Sequence, residues 1–287
     1  MPKRCLWLAL LLLWPLSALA QDASVLNGPS DPQALSAAVS GHTLCVMTQE
    51  GLYAYSLLDN AGGLTLDAAA LSAAGVSENA LLFAHGAPYL LDGAKVWALE
   101  GGTPEAVATL SLPQGRSCQS PVASQGRLYA LMADEQGAVT ELLSASLTDG
   151  SADVWEVEGV THLAVTPQGE LWALRRESPT AWAVVVLDAG TGRPTRTVAK
   201  VNSEYQAYMT YSQSMDALFV CVDGRLDRWM GDRWETVRFI PSPSVYLAVE
   251  DGRVISVSMS SVNLLSDEAP AKNDLLEGDL VFSTDAP

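Results

Sequence analysis

From about residue 33 to residue 265 the chain sets apolar residues in short runs, many of them alternating with polar ones, and breaks each run with Gly, Asp or Ser. Successive side chains of a strand point to opposite faces, so a period of two marks strands rather than helices. The pattern is plainest late in the chain, where Ala207–Ser212, Ala217–Val222, Arg225–Met230 and Arg233–Phe239 read as four successive strands. Asp223-Gly224 and Gly231-Asp232 fill hairpins between them and supply the positive φ angles that two-residue turns require. The same plan reads from Ala80–Ala84, Tyr89–Leu91, Lys95–Leu99 and Glu105–Leu110. It reads again from Pro121–Ser124, Leu128–Ala133, Thr140–Leu147 and Asp153–Glu158. Leu66–Ala74 is the one stretch that suits a short helix.

Within this pattern a unit repeats: an apolar strand, a polar turn, then a strand opening with an aliphatic and an aromatic residue. Clear copies are Thr48-Gln49-Glu50-Gly51-Leu52-Tyr53, Ser124-Gln125-Gly126-Arg127-Leu128-Tyr129 and Thr166-Pro167-Gln168-Gly169-Glu170-Leu171-Trp172. Looser copies lie at Gly86–Tyr89, Met215–Phe219 and Asp251–Ile255. The anchors Tyr53, Tyr89, Tyr129, Trp172, Phe219 and Ile255 stand 36, 40, 43, 47 and 36 residues apart. That spacing suits a four-stranded propeller blade, for which ~40–50 residues is usual. The fold class is therefore all-β, a β-propeller of six blades, or of seven if Gly278–Ser283 starts another. An open ring would expose strand edges. The last blade, read at Val245–Val249, Val254–Met259 and Val262–Leu265, is expected to borrow its outer strand from the N-terminal side. Gln33–Val39 is the segment assigned to that place, ahead of a first inner strand at His42–Thr48.

These stretches resemble the exported bacterial propeller domains that carry a polar-Gly-x-Leu-Trp/Tyr motif in each blade. The resemblance covers most of residues 33–265 and implies fold alone. The chain lacks paired Trp-Asp repeat endings and the regular Ser-x-Asp-x-Gly-x-Thr-Trp boxes of sialidases. It is also similar to propellers that precede solute-binding domains in some exported bacterial proteins, although no second domain is read after residue 270.

The first residues change the setting. Lys3 and Arg4, an apolar run from Cys5 to Leu16, and small residues at Ala18 and Ala20 are the three parts of a secretory signal. Cleavage is expected after Ala20, giving a secreted or periplasmic product. The apolar run falls short of the ~20 residues that span a bilayer. The layout expected is a signal peptide over 1–20, a leader over 21–32, the propeller over 33–270 and a C-terminal extension over 271–287. The net charge of −17 becomes more acidic once Lys3 and Arg4 are removed, and it argues against nucleic acid and anionic lipid as partners. A monomer is the default. Removing Cys5 leaves Cys45, Cys118 and Cys221, an odd set with no zinc spacing, read as unpaired thiols.

Chemistry is sparse. His42, His85 and His162 are the histidines, with no His-x-His or His-Glu-x-x-His motif, so no metal or cofactor is implied. Gly-x-Ser-x-Gly is absent, Asp188–Gly192 reads as a hairpin rather than a phosphate loop, and no EF-hand spacing occurs. Position is the better lead, because inner strands of a propeller converge on the rim of the central channel. His42, Glu78, His162, Glu204, Tyr205 and Tyr246 are the ligand-site candidates, as residues at or near inner-strand starts. Trp229 and Trp234 flank a hairpin where one could be exposed. Tyr205, Tyr208 and Tyr211 fall on two faces of one strand and make no continuous aromatic platform. The favoured reading is a non-catalytic module binding a protein or glycan. The alternatives are a small-molecule sensor or accessory domain for a transport or signalling partner, and a lyase or hydrolase at the channel mouth.

Overall fold

The structure is a computed structural model that describes residues 23–25, 33–58, 61–99, 103–241 and 243–266. Its strands run β1 (Ala23–Val25), β2 (Ala34–Ser40), β3 (Thr43–Thr48), β4 (Gly51–Ser56), β5 (Gly62–Asp67), then helix α1 (Ala68–Ala74). Blade two holds β6 (Leu81–His85), β7 (Ala87–Asp92), β8 (Lys95–Ala98) and β9 (Glu105–Thr109). Blade three holds β10 (Ser117–Ser124), β11 (Arg127–Ala133), β12 (Val139–Ser146) and β13 (Ala152–Glu156). Blade four holds β14 (Val160–Val165), β15 (Leu171–Ser178), β16 (Ala181–Leu187) and β17 (Pro194–Asn202). Blade five holds β18 (Ala207–Ser212), β19 (Ala217–Val222), β20 (Arg225–Trp229) and β21 (Trp234–Phe239). Blade six holds β22 (Tyr246–Glu250), β23 (Arg253–Val257) and β24 (Val262–Ser266), with β1 as its fourth strand. Inner strands touch in the order β2, β6, β10, β14, β18, β22 and back to β2. The chain is a six-bladed β-propeller.

Period two is what builds the ring. In β19, Leu218, Val220 and Val222 pack against blade four, while Phe219 and Cys221 pack against blade six. In β11, Leu128, Ala130 and Met132 face blade two, and Tyr129 and Leu131 face blade four. Strands covered on both sides read as unbroken apolar runs such as Ala-Leu-Phe-Val-Cys-Val. Each side chain the size of Phe219, wholly buried, stabilises the fold by roughly 1.5–3 kcal/mol. Six such clusters fill the six blade junctions.

The helix is shorter than its sequence suggests. Leu66 and Asp67 remain in β5, paired with Leu52 and Gly51, so α1 begins at Ala68. Asp67 caps it by accepting from the Ala70 N–H at 2.7 Å, and Gly75 ends it in the left-handed region at φ 84°.

The ring does join its N- and C-terminal strands, but not with the segment expected. Gln33–Val39 does not lie beside Val262–Leu265. Ala34–Ser40 is the inner strand of blade one and pairs with β3. The strand completing blade six is β1, antiparallel to β24 with Ala23 opposite Leu265 and Val25 opposite Asn263. Blade one was read one strand late because the Glu50-Gly51-Leu52-Tyr53 copy of the repeat sits in the turn between β3 and β4. In the other blades the copy sits between the first and second strands. Cys45 thus lies on the second strand of blade one, and Cys118 on the inner strand of blade three. Cys45, Cys118 and Cys221 are all unpaired. The segment 278–283, considered for a seventh blade, lies outside the described residues.

Candidate functional site in the central channel

The six inner strands line a channel of about 1010 Å³. Their starts define an upper rim and their ends a lower one. Among the described residues the only carboxylates on its wall are Glu250 and Asp251, at the lower rim. The rest of the wall is small, apolar or neutral and polar, with Ala37, Ala84, Ala123, Ala164 and Ala248 spread round it.

The inward edge of an inner strand carries N–H and C=O groups without a neighbouring strand. Side chains from the adjacent blade meet several of them. Ser36 Oγ accepts from the Leu82 N–H at 2.7 Å, joining blades one and two. Ser120 Oγ accepts from the Leu163 N–H at 3.1 Å, joining blades three and four. Ser120 achieves this from a bulge in β10 between Gln119 and Val122, with its own φ at 48°. Tyr246 Oη accepts from the Val39 N–H at 3.1 Å, joining blades six and one.

His162 stands on β14 just after a bulge between Val160 and His162. The Thr161 hydroxyl donates to the Leu174 carbonyl at 3.3 Å, which leaves Thr161 Oγ1 to accept from His162 Nδ1 at 3.1 Å. That arrangement favours the imidazole proton on Nδ1, with Nε2 then an acceptor. The ring meets Tyr208 edge-on at 5.1 Å between centroids. Burial lowers the His162 pKa to about 4, so the imidazole is neutral at physiological pH. Burial also raises the Tyr208 phenol and lifts Tyr246 to about 12. All three groups are uncharged.

The lower rim is charged and internally engaged. Glu250 accepts from the backbone N–H groups of Gln213 at 3.0 Å and Ser214 at 3.2 Å. The Asp251 N–H donates to Ser214 Oγ at 2.9 Å, and its carboxylate pairs with His42 Nδ1 at 2.9 Å. Gln213 Nε2 donates to the Val165 carbonyl at 2.8 Å. These contacts tie blades four, five, six and one, although a pair as exposed as His42–Asp251 contributes at most about 1 kcal/mol.

The six candidate residues therefore separate. His162 and Tyr246 line the channel. His42 sits at the lower rim, in the turn between β2 and β3, rather than at an inner-strand start. Glu78 lies in the loop before β6, and Glu204 and Tyr205 in the loop before β18. All three are exposed on the upper rim, Tyr205 by 60%, and none of them lines the channel. Tyr208, Thr161 and Ser120 were not foreseen as site residues. Tyr208 was within reach of the sequence once β18 was placed, whereas the bulges that aim His162 and Ser120 leave no periodic trace.

The other aromatic groups are occupied elsewhere. Tyr211 faces blade four, edge-on to Trp172 at 5.3 Å, and its hydroxyl donates to Asp216 at 2.6 Å. Trp229 and Trp234 lie 5.0 Å apart and tilted by 57°, half-buried, with Trp234 Nε1 donating to the Lys200 carbonyl at 2.7 Å. Among the described residues no three His, Cys, Asp or Glu side chains come together to hold a metal ion.

Fold and channel together define the class: a six-bladed β-propeller whose central cavity is neutral above and charged at its lower rim. No protein-family model matches the chain, and no curated protein matches it in sequence. Solved structures resemble it in fold alone. Regucalcin from Agrobacterium tumefaciens, a calcium-binding protein, shares 12% identity at a TM-score of 0.56, over 84% of this chain and 92% of its own. The PQQ-bound aldose sugar dehydrogenase of Streptomyces coelicolor shares 13% at 0.53, over 84% and 96%. YCF48 bound to D1 peptide shares 10% at 0.53, over 89% and 82%.

Proposed function

We propose that this chain is an exported, non-catalytic propeller that binds a glycan or a segment of a protein partner at its channel. The observation that carries the reading is the division of the channel wall. Its upper and middle parts offer hydrogen-bonding groups that are uncharged, on blades four, five and six. The two wall carboxylates stand apart at the lower rim, each already engaged by a neighbouring blade. A hydrolase or lyase needs an acid and a base within reach of the same bond. His162 contacts Thr161 and Tyr208, and burial moves the imidazole pKa down and the phenol pKa up, away from the neutral range in which a general acid or base works best. Such a wall suits holding a ligand better than turning it over. Propellers of similar fold include a sugar dehydrogenase and a peptide-bound protein, so the fold favours neither reading and it is the wall chemistry that supports binding. Export rests on the Met1–Ala20 pattern.

The test uses protein lacking residues 1–20. It is titrated with oligosaccharide and peptide panels by calorimetry, and each mixture is then analysed by mass spectrometry. Saturable binding with the ligand recovered unchanged is expected. A ligand recovered as product would replace this reading with the enzymatic one, and failure of both panels to bind would remove it.

A further inference from the structure

We infer that the wall formed by His162, Tyr208 and Tyr246 is a site for an uncharged, hydroxyl-rich ligand of mono- or disaccharide size. The inference rests on the binding reading above and narrows it to one chemistry.

The three groups offer complementary hydrogen-bonding roles. His162 Nε2 acts as an acceptor in the tautomer that the Thr161 contacts favour, with the proton on Nδ1. Tyr246 Oη already accepts from Val39 and so has its own proton to give. Tyr208 Oη makes no hydrogen bond among the described residues and can do either. A ligand hydroxyl both donates and accepts, so hydroxyl groups suit each of the three whichever role it takes. A ligand with acceptors alone leaves Nε2 unmet, and a buried polar group without a partner is costly.

Charge narrows the class further. A carboxylate or ammonium group drawn onto this wall loses its water and finds no opposite charge there, a penalty that disfavours ionised ligands. Glu250 and Asp251 stand at the lower rim, where Gln213, Ser214 and His42 already take up part of their hydrogen-bonding capacity. The contrast with the rest of the molecule is sharp, since the chain carries 33 acidic residues and a net charge of −17. The volume of about 1010 Å³ lies at the upper end of ligand cavities, roughly 300–1,000 Å³, leaving room for a disaccharide and bridging water.

The experiment is calorimetric titration with methyl β-D-glucopyranoside, methyl β-D-galactopyranoside and cellobiose, set against D-glucosamine and D-glucuronate. At least one neutral sugar should bind, with both charged sugars at least tenfold weaker. Tyr208→Phe and His162→Phe should each weaken that binding about tenfold, the loss of one hydrogen bond, while Glu78→Gln on the upper rim leaves it unchanged. Circular dichroism and melting temperature confirm that each variant is folded. Independently of any ligand, long-range ¹⁵N–¹H correlation should show His162 protonated at Nδ1, and a proton on Nε2 would overturn the acceptor role. Equal or tighter binding of a charged sugar overturns the inference, as does binding indifferent to both ring variants. If no sugar binds but a peptide does, this inference falls and the binding reading stands. If a neutral sugar binds and is converted, the ligand class stands and the non-catalytic reading falls.

Discussion

Lowering the pH from 7.5 towards 4 should weaken this propeller through His162, by an amount that one substitution isolates. The folded imidazole has its pKa lowered by burial from 6.5 to about 4, whereas the unfolded chain titrates it near the ordinary value. Between the two values the unfolded state holds a proton that the folded state refuses. The stabilisation is therefore complete above the unfolded pKa, declines as pH falls through the interval, and is gone below the folded pKa. At about 1.4 kcal/mol per pH unit the shift corresponds to no more than ~3.5 kcal/mol, an upper bound because the ring borders an open channel. Carboxylates such as Asp149, Glu170 and Glu177, whose pKa values are lowered by hydrogen bonds in the folded state, begin to take up protons in the unfolded chain at the acid end of the same range, so the wild-type curve alone does not separate them. The assay is urea unfolding of wild type and His162→Gln at several pH values from 7.5 to 4, each variant referred to its own stability at pH 7.5. The variant should lose about 2–3 kcal/mol less than wild type across that range. Parallel curves would refute a neutral, buried His162, whatever the variant costs at neutral pH.

Ile255, wholly buried between blades six and one, should cost about 2–5 kcal/mol as Ile255→Ala, read as a lower urea midpoint at an unchanged m-value. Gly51 has φ 141°, and a Cβ there would run into the Leu66 carbonyl and lie 2.9 Å from Asp67 Cα. Gly51→Ala should therefore cost about 2–4 kcal/mol, against about 1 kcal/mol for Gly93→Ala, where a Cβ meets nothing; equal costs in thermal melts would contradict the contact. Cys45, Cys118 and Cys221 lie in blades one, three and five, and burial raises their thiols to about 11, 11 and 12. Their Cα atoms need to come within ~7 Å to pair, so thiol counting on unfolded, unreduced protein should return all three, with slow labelling in the native state; a count of one would reveal a bridge. Exported protein should begin at Gln21 by N-terminal sequencing, and retention of Met1–Ala20 would contradict the signal peptide.

Blade five was legible in full because each of its strands alternates between two neighbours and its turns carry Asp-Gly and Gly-Asp. Blade one was displaced by a single residue type. The registers of β2–β3 and β10–β11 place Thr43, Leu44 and Cys45 where blade three has Arg127, Leu128 and Tyr129. The anchor aromatic is thus a cysteine in blade one, and the better match one strand later drew the assignment. The candidate site was legible only in part, for a different reason. His162 and Tyr246 were found because they lie on inner strands, but Glu78, Glu204 and Tyr205 point outward from loops whose direction no period encodes. His42 followed the displaced blade to the wrong rim. The partnership of His162 with Tyr208 arises only when blades four and five meet, which nothing local in the sequence records.

Every cluster of the interior belongs to two blades at once, and that has a consequence for how the molecule comes apart. A linear stack of repeats has terminal units with one neighbour each, and these can detach before the rest. A closed circuit of six has no terminal unit. Removing any blade strips apolar cover from both of its neighbours, so loss of order at one junction is transmitted in both directions until nothing is left to hold. Such a molecule should melt in one step, and a protease acting on its surface turns should find few partly opened forms to cut.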